Sequence, residues 1–176
     1  MPNPLPANAM KTLILGGMRS GKSSYAETLC KLHENVQYVA TATADDEEMK
    51  SRIHQHQQQR STQWGLIEEP LYLSKVLISH PDTCLLIDCL TLWVSNWLCQ
   101  ENQTQWQQER QCFLQQLSKY SGNIVLVSNE VGQGIIPMGS LSRQFCDETG
   151  WLHQALAKQC QQVIFMVAGL PQVIKG

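Results

Sequence analysis

Residues Gly16-Gly17-Met18-Arg19-Ser20-Gly21-Lys22-Ser23 satisfy every fixed position of the pattern G-x-x-x-x-G-K-[ST]. The chemistry this spacing serves is phosphate binding. Glycines let the backbone curl until several N–H groups converge on one anion. A helix starting behind the loop adds partial positive charge at the same point. Lys22 would reach the β- and γ-phosphates of a nucleotide, and the Ser23 hydroxyl would bind Mg²⁺. The context fits: Thr12-Leu13-Ile14-Leu15 reads as a short buried strand, and Ser24 to Leu32 as a helix.

Asp88 is the second chemical signal. It ends the apolar run Thr83-Cys84-Leu85-Leu86-Ile87, as a Walker B carboxylate does, and would hold Mg²⁺ directly or through water. Its other reading is a cap on the helix that follows. A third set lies in Arg52-Ile53-His54-Gln55-His56-Gln57-Gln58-Gln59-Arg60. On a helix, Arg52, His56 and Arg60 share a face at i, i+4 and i+8. Flanking arginines would keep the His56 imidazole neutral, the state a nucleophile needs, and would also neutralise phosphate oxygens during attack. From spacing alone, a solvated histidine–glutamine face explains that stretch better. Glu68-Glu69-Pro70 and Asn129-Glu130 add loop carboxylates. A carboxylate can accept from the N1–H and N2–H₂ edge of guanine, which adenine lacks; alone, either glutamate reads as a surface residue.

The elements that must position these groups follow from apolar patterning. With 176 residues and 43% hydrophobic content, the chain is sized for one domain with a sizeable core, residues 11–176, behind a loose proline-rich tail, residues 1–10. That tail lacks the basic start and apolar stretch of a signal peptide. No apolar run approaches a membrane span, and a net charge of −2 gives no reason to expect nucleic-acid binding. The seven cysteines are scattered without a C-x-x-C pair, which predicts free thiols in a reducing cytoplasm. Val36 to Thr41, Thr83 to Asp88, Asn123 to Ser128 and Val163 to Ala168 read as strands. Helices are predicted from Thr43, a plausible cap, to about Arg60; from Pro70, with Leu73, Val76 and Leu77 inward; and through Leu90, Trp93, Val94, Trp97 and Leu98. Two more run through the glutamine-rich stretch Gln100 to Gln116, with Trp106, Phe113 and Leu117 on one face, and from Ser140 to Gln161, with Leu141 among its apolar positions. Gln172-Val173-Ile174 could pair back onto the sheet. This alternation predicts an α/β fold: a mainly parallel sheet covered by helices on both faces.

Taken in order, these segments resemble the bifunctional adenosylcobinamide kinase/adenosylcobinamide-phosphate guanylyltransferase family of cobalamin biosynthesis. The resemblance runs from about Thr12 to Lys175. It is carried by the phosphate loop, Tyr38-Val39-Ala40-Thr41-Ala42-Thr43, Asp46-Glu47-Glu48-Met49, Arg52 through His56 to Arg60, and Trp64 with Glu68-Glu69-Pro70. Leu86-Ile87-Asp88-Cys89-Leu90-Thr91, Ser128-Asn129-Glu130-Val131-Gly132 through Pro137, and Arg143 with Asp147 and Gly150 complete it. It implies a P-loop NTPase-like, RecA-like fold and two reactions. The kinase reaction phosphorylates adenosylcobinamide from GTP or ATP. The guanylyltransferase reaction attaches GMP from GTP to a histidine, matching His56 rather than His54, and passes it to adenosylcobinamide phosphate. Implied nucleotide contacts are Gly16, Gly17, Met18, Arg19, Ser20, Gly21, Lys22 and Ser23; Thr41, Ala42 and Thr43; Gln57, Gln58, Gln59 and Arg60; Glu68, as guanine reader; and Asp88. Ser23 and Asp88 are the implied Mg²⁺ ligands. A homotrimer or dimer of trimers is also implied, with the Trp93/Trp97 helix and the glutamine-rich helix as candidate contacts. Two other readings fit the phosphate loop alone: a plain small-molecule kinase without a covalent step, and a nucleotide-binding regulatory module.

Overall fold

A computed structural model describes residues 9–43, 64–100 and 102–176. The predicted helix beyond Thr43, His56 and the 57–60 stretch lie outside the described residues, as does most of the 1–10 tail. In chain order the elements are β1 (Lys11–Gly16), α1 (Lys22–Cys30), β2 (Val36–Ala40), β3 (Gly65–Glu68), α2 (Leu73–Ser79) and β4 (Cys84–Asp88). There follow α3 (Leu90–Cys99), α4 (Gln103–Lys119), β5 (Ile124–Val127), α5 (Ser140–Gln159), β6 (Gln162–Val167) and β7 (Leu170–Lys175).

The strands form one seven-stranded sheet in the order β3-β2-β4-β5-β1-β6-β7. All pairs are parallel except β6 with β7, where the chain turns back on itself. Consecutive strand residues face opposite sides, and both sides are apolar because both are covered. On one face Leu13, Val39, Leu85, Ile87 and Leu126 pack with side chains from α2 to α5. On the other, Ile14, Tyr38, Leu86, Val125 and Ile164 pack with Ala26, Leu29 and Cys30 of α1. This is the doubly covered parallel sheet that the alternating pattern predicts.

The tryptophan face of α3, which the sequence reads as core or subunit interface, is core: Trp93 and Trp97 are both buried within the chain. Trp93 stacks edge-on against Trp106 and tilts against Phe113, each at 5.0 Å between ring centroids. The indole N–H groups of Trp93 and Trp97 both donate to the Leu71 carbonyl, at 2.7 and 2.8 Å. Buried rings of this size are worth on the order of 3–5 kcal/mol each, so this face anchors the sheet.

Departures are local. The Glu68-Glu69-Pro70 stretch, expected as loop, begins on a strand: Gly65–Glu68 pairs with β2 in the register Gln37↔Gly65 to Ala40↔Glu68. The helix expected from Pro70 starts at Leu73, because the Glu69 carboxylate first takes the Leu71 and Tyr72 amides at 2.9 and 2.8 Å and makes a turn. Leu141, one of the apolar positions that mark α5, is 54% exposed, whereas Leu152 and Leu156 are fully buried. All seven cysteines are free thiols.

Candidate nucleotide site

The phosphate loop leaves the carboxyl end of β1 and is shaped by two glycines. Gly16 has φ 149°, and a Cβ there would sit 2.5 Å from the Met166 carbonyl and 2.8 Å from Ser20 Oγ. Gly21 takes φ 93° where the loop enters α1. Between them Arg19 holds φ 54° without being glycine, at a cost of roughly 1–2 kcal/mol. The loop is fastened from within, Ser20 N–H to the Gly17 carbonyl at 3.3 Å, and from outside, Gly169 N–H to the Ser20 carbonyl at 3.0 Å. The β6–β7 turn therefore braces the loop from its far side. Gly17, Met18 and Arg19 are exposed at its apex, while Ser20 is buried.

Lys22 opens α1 and is buried to 7% exposure. Its ammonium folds back onto the loop, donating to the Gly17 carbonyl at 2.6 Å and to Ser20 Oγ at 3.5 Å. Burial lowers its pKa from the usual lysine value, opposed by the nearby Cys89 and Asp88 side chains. Ser23 follows, half-buried in the first turn.

Asp88 ends β4 on the same edge of the sheet, one strand removed from β1. It does not cap the next helix: the N-cap of α3 is Cys89, with no side-chain cap. Instead Asp88 Oδ2 accepts a hydrogen bond from the Tyr38 hydroxyl at 2.9 Å. Sequence reasoning missed Tyr38, which sits in an apolar strand and reads as core. Ser23 and Asp88 offer a hydroxyl and a carboxylate, hard oxygen donors of the kind Mg²⁺ takes; one or two protein oxygens suffice when phosphates supply the rest. Among the described residues, no cluster of three or more His, Cys, Asp and Glu forms a separate metal cage.

Thr41 is fully buried at the end of β2. Its hydroxyl donates to the Cys89 carbonyl at 2.8 Å and accepts from the Cys89 amide at 2.9 Å. It thus locks the ends of β2 and β4 together. Burial pushes the Cys89 thiol up to about 11, so it stays protonated at neutral pH. Ala42 and Thr43 continue half-buried. Of the paired glutamates, Glu69 is used by the turn before α2, and Glu68 stands exposed at the end of β3. The structure thus brings residues 16–23, Thr41 and Asp88 to one edge, with Glu68 at the same edge beside β2.

A second cluster enters between them, joining Ser128 and Glu130, both noted in the sequence, to His153, which sequence reasoning missed. Beyond β5, Ser128 Oγ lies 2.7 Å from His153 Nε2, and His153 Nδ1 lies 3.8 Å from Glu130 Oε2. Nothing local in the sequence joins residues this far apart. Elsewhere an open groove between α4 and α5, lined by Gln107, Arg110, Leu114 and Trp151, holds none of the expected site residues.

The profile of the family described as cobinamide kinase / cobinamide phosphate guanyltransferase matches residues 12–174. The bifunctional adenosylcobalamin biosynthesis protein CobP of Pseudomonas aeruginosa is 49% identical over 170 residues, spanning 95% of this chain and 98% of that protein. The protein CobU of Escherichia coli, described in the same words, is 33% identical over 181 residues, spanning 94% and 100%. Among solved structures, a prototypical ATPase from the type III secretion system of pathogenic bacteria superposes with TM-score 0.57 at 8% identity, over 94% of this chain and 57% of that one. A structure from Pyrococcus horikoshii OT3 superposes with TM-score 0.55 at 8% identity, over 96% and 87%. At that identity the structural likenesses speak to the fold alone.

Proposed function

The chain belongs to the cobinamide kinase / cobinamide phosphate guanyltransferase family, and on that basis we propose that both transfers run from nucleotides bound at a single edge of its sheet. The enzyme is bifunctional, and its substrates are cobinamides and nucleotides. The observation that supports a shared site is the placing of the phosphate loop and Asp88 on one carboxyl edge, with β5 between their strands.

In the kinase reaction, the hydroxyl oxygen of the adenosylcobinamide side arm attacks the γ-phosphorus of GTP or ATP. The bond to the β-phosphate oxygen breaks and a nucleoside diphosphate leaves. In the guanylyl reaction, the neutral His56 imidazole attacks the α-phosphorus of GTP and pyrophosphate leaves. A phosphate oxygen of adenosylcobinamide phosphate then attacks the same phosphorus, the P–N bond breaks, and adenosylcobinamide-GDP forms. The loop amides from Gly17 to Ser23 and the Lys22 ammonium cradle the phosphates. Arg60 and Gln57 to Gln59 border the nucleotide beside His56, as do Thr41, Ala42 and Thr43 from the end of β2. Glu68 reads the guanine edge, its neighbour Glu69 being already engaged. Ser23 and Asp88, the latter oriented by Tyr38, hold a Mg²⁺ that neutralises charge on the phosphates when bound.

No described helix is long and apolar enough to cross a membrane. The enzyme works in the cytoplasm, where its thiols stay reduced. It assembles as a trimer or dimer of trimers through the glutamine-rich outer side of α4, which borders the groove at Trp151.

Lys22→Ala tests the shared site, with the two half-reactions assayed separately and adenosylcobinamide phosphate supplied for the second. Both should fall by about 100-fold or more, the scale for removing one preorganised charge-stabilising donor. A kinase half-reaction that survives would place its nucleotide elsewhere.

A further inference from the structure

Strand β5 lies between β1 and β4, so the residues leaving its carboxyl end enter between the phosphate loop and Asp88. They are Ser128, Asn129 and Glu130, and each is tied in place. Ser128 N–H donates to the Ile14 carbonyl and Glu130 N–H to the Gly16 carbonyl, both at 3.0 Å. The Asn129 side-chain Nδ2 donates to Thr91 Oγ1 at 3.1 Å. Glu130 is therefore backbone-bonded to the first glycine of the phosphate loop.

Behind this segment α5 supplies His153, 6% exposed. Its Nε2 meets Ser128 Oγ at 2.7 Å. Ser128 is fully buried, so its hydroxyl is out of reach of any substrate and fixes the imidazole instead. Burial lowers the His153 pKa below its usual value, opposed by Glu130. On the Glu130 carboxylate, Oε1 accepts from the Gly132 amide at 2.7 Å. Oε2 faces His153 Nδ1 at 3.8 Å, outside hydrogen-bond range. That geometry steadies the carboxylate and leaves the Oε2 lone pairs for another donor.

The two half-reactions differ in what they ask of such a group. The kinase acceptor is an alcohol, whose proton must go somewhere as its oxygen bonds to phosphorus. The guanylyl acceptor is a phosphate, already ionised at neutral pH, and has no such proton. We propose that Glu130 is the proton acceptor of the kinase half-reaction, with His153 and Ser128 as its positioning residues. As the acceptor O–P bond forms and the bond from γ-phosphorus to the β-phosphate oxygen breaks, the hydroxyl proton passes to Glu130 Oε2 and the nucleoside diphosphate carries away the electron pair. Glu130 then returns the proton to water. This assignment rests on the kinase reaction using the edge described above.

The test is Glu130→Gln, with kinase turnover on adenosylcobinamide and guanylyl transfer to supplied adenosylcobinamide phosphate measured on one preparation. Kinase kcat should fall about 100-fold or more, the usual scale for a positioned acid–base group. Guanylyl transfer should change by less than about threefold, and that assay also reports that the variant folds. His153→Asn should lower kinase kcat about tenfold without raising KM for adenosylcobinamide, the pattern of an interaction made in the transition state. A kinase loss in Glu130→Gln that does not exceed the guanylyl loss by at least about tenfold overturns the assignment. If Lys22→Ala disables both half-reactions while Glu130→Gln spares the kinase, the shared site stands and the role of Glu130 alone fails.

Discussion

Two tyrosine hydroxyls, one at each end of the sheet, do different work. At the amino end, the buried Tyr120 hydroxyl lies 2.7 Å from the His80 carbonyl and 2.6 Å from the Thr83 carbonyl. Around it Asn123 Oδ1 accepts from the Met10 amide and Ser121 Oγ donates to the Pro81 carbonyl. Polar side chains there mostly complete backbone groups where loops meet strands. At the carboxyl end the Tyr38 hydroxyl donates to the Asp88 carboxylate, and His153 meets Ser128 while lying near Glu130. Beside side chains that bond backbone there, as Thr41 does, others orient neighbouring side chains, the Asp88 carboxylate among them. One end uses buried polarity to close the chain; the other uses it to aim charge where phosphates are to bind.

Removing each hydroxyl sharpens that contrast. Tyr38→Phe keeps the ring and deletes one hydrogen bond to a charged group, an interaction worth about 1.5–3 kcal/mol. Both transfers should slow by about tenfold and need more Mg²⁺ for half-maximal rate. Steady-state kinetics across a Mg²⁺ titration checks this; a large Tm loss with unchanged kinetics would make Tyr38 another closing group. Tyr120→Phe should do the reverse. It leaves a buried carbonyl without a donor, a cost of about 1–2 kcal/mol, which lowers Tm by about 2–8 °C for a chain of this size. Turnover in both half-reactions should stay unchanged, and an altered kcat would break the division between the two ends.

Much of this arrangement was legible in the sequence because single residues or short runs carry it. The cores of β1, β4 and β5 are apolar runs that suit only strands buried on both faces. The phosphate loop needs residues in fixed order, and Asp88 is conspicuous because it ends such a run. What stayed hidden depends on contacts between distant segments. Strand β3 has four residues with alternating exposure and ends in a glutamate, so only its pairing with β2 distinguishes it from loop. Glu68 and Glu69 are chemically identical neighbours; the turn before α2 engages one of them. Tyr38 and His153 look like ordinary core residues until Asp88 and Ser128 are seen beside them. Trp93 and Trp97 read as an apolar helix face, core or subunit interface, and only the packing shows that its partner lies within the same chain. Helix periodicity shows that a face is buried without showing against what.

The central claim is that His56 carries GMP between the two substrates. The direct measurement incubates the enzyme with GTP labelled at the α-phosphate or at the γ-phosphate, and follows label held by denatured protein. The account predicts an acid-labile, alkali-stable adduct from the α-label only, present in wild type and His54→Ala and absent in His56→Ala. An adduct that persists in His56→Ala, or a wild-type enzyme that transfers GMP without forming one, contradicts it.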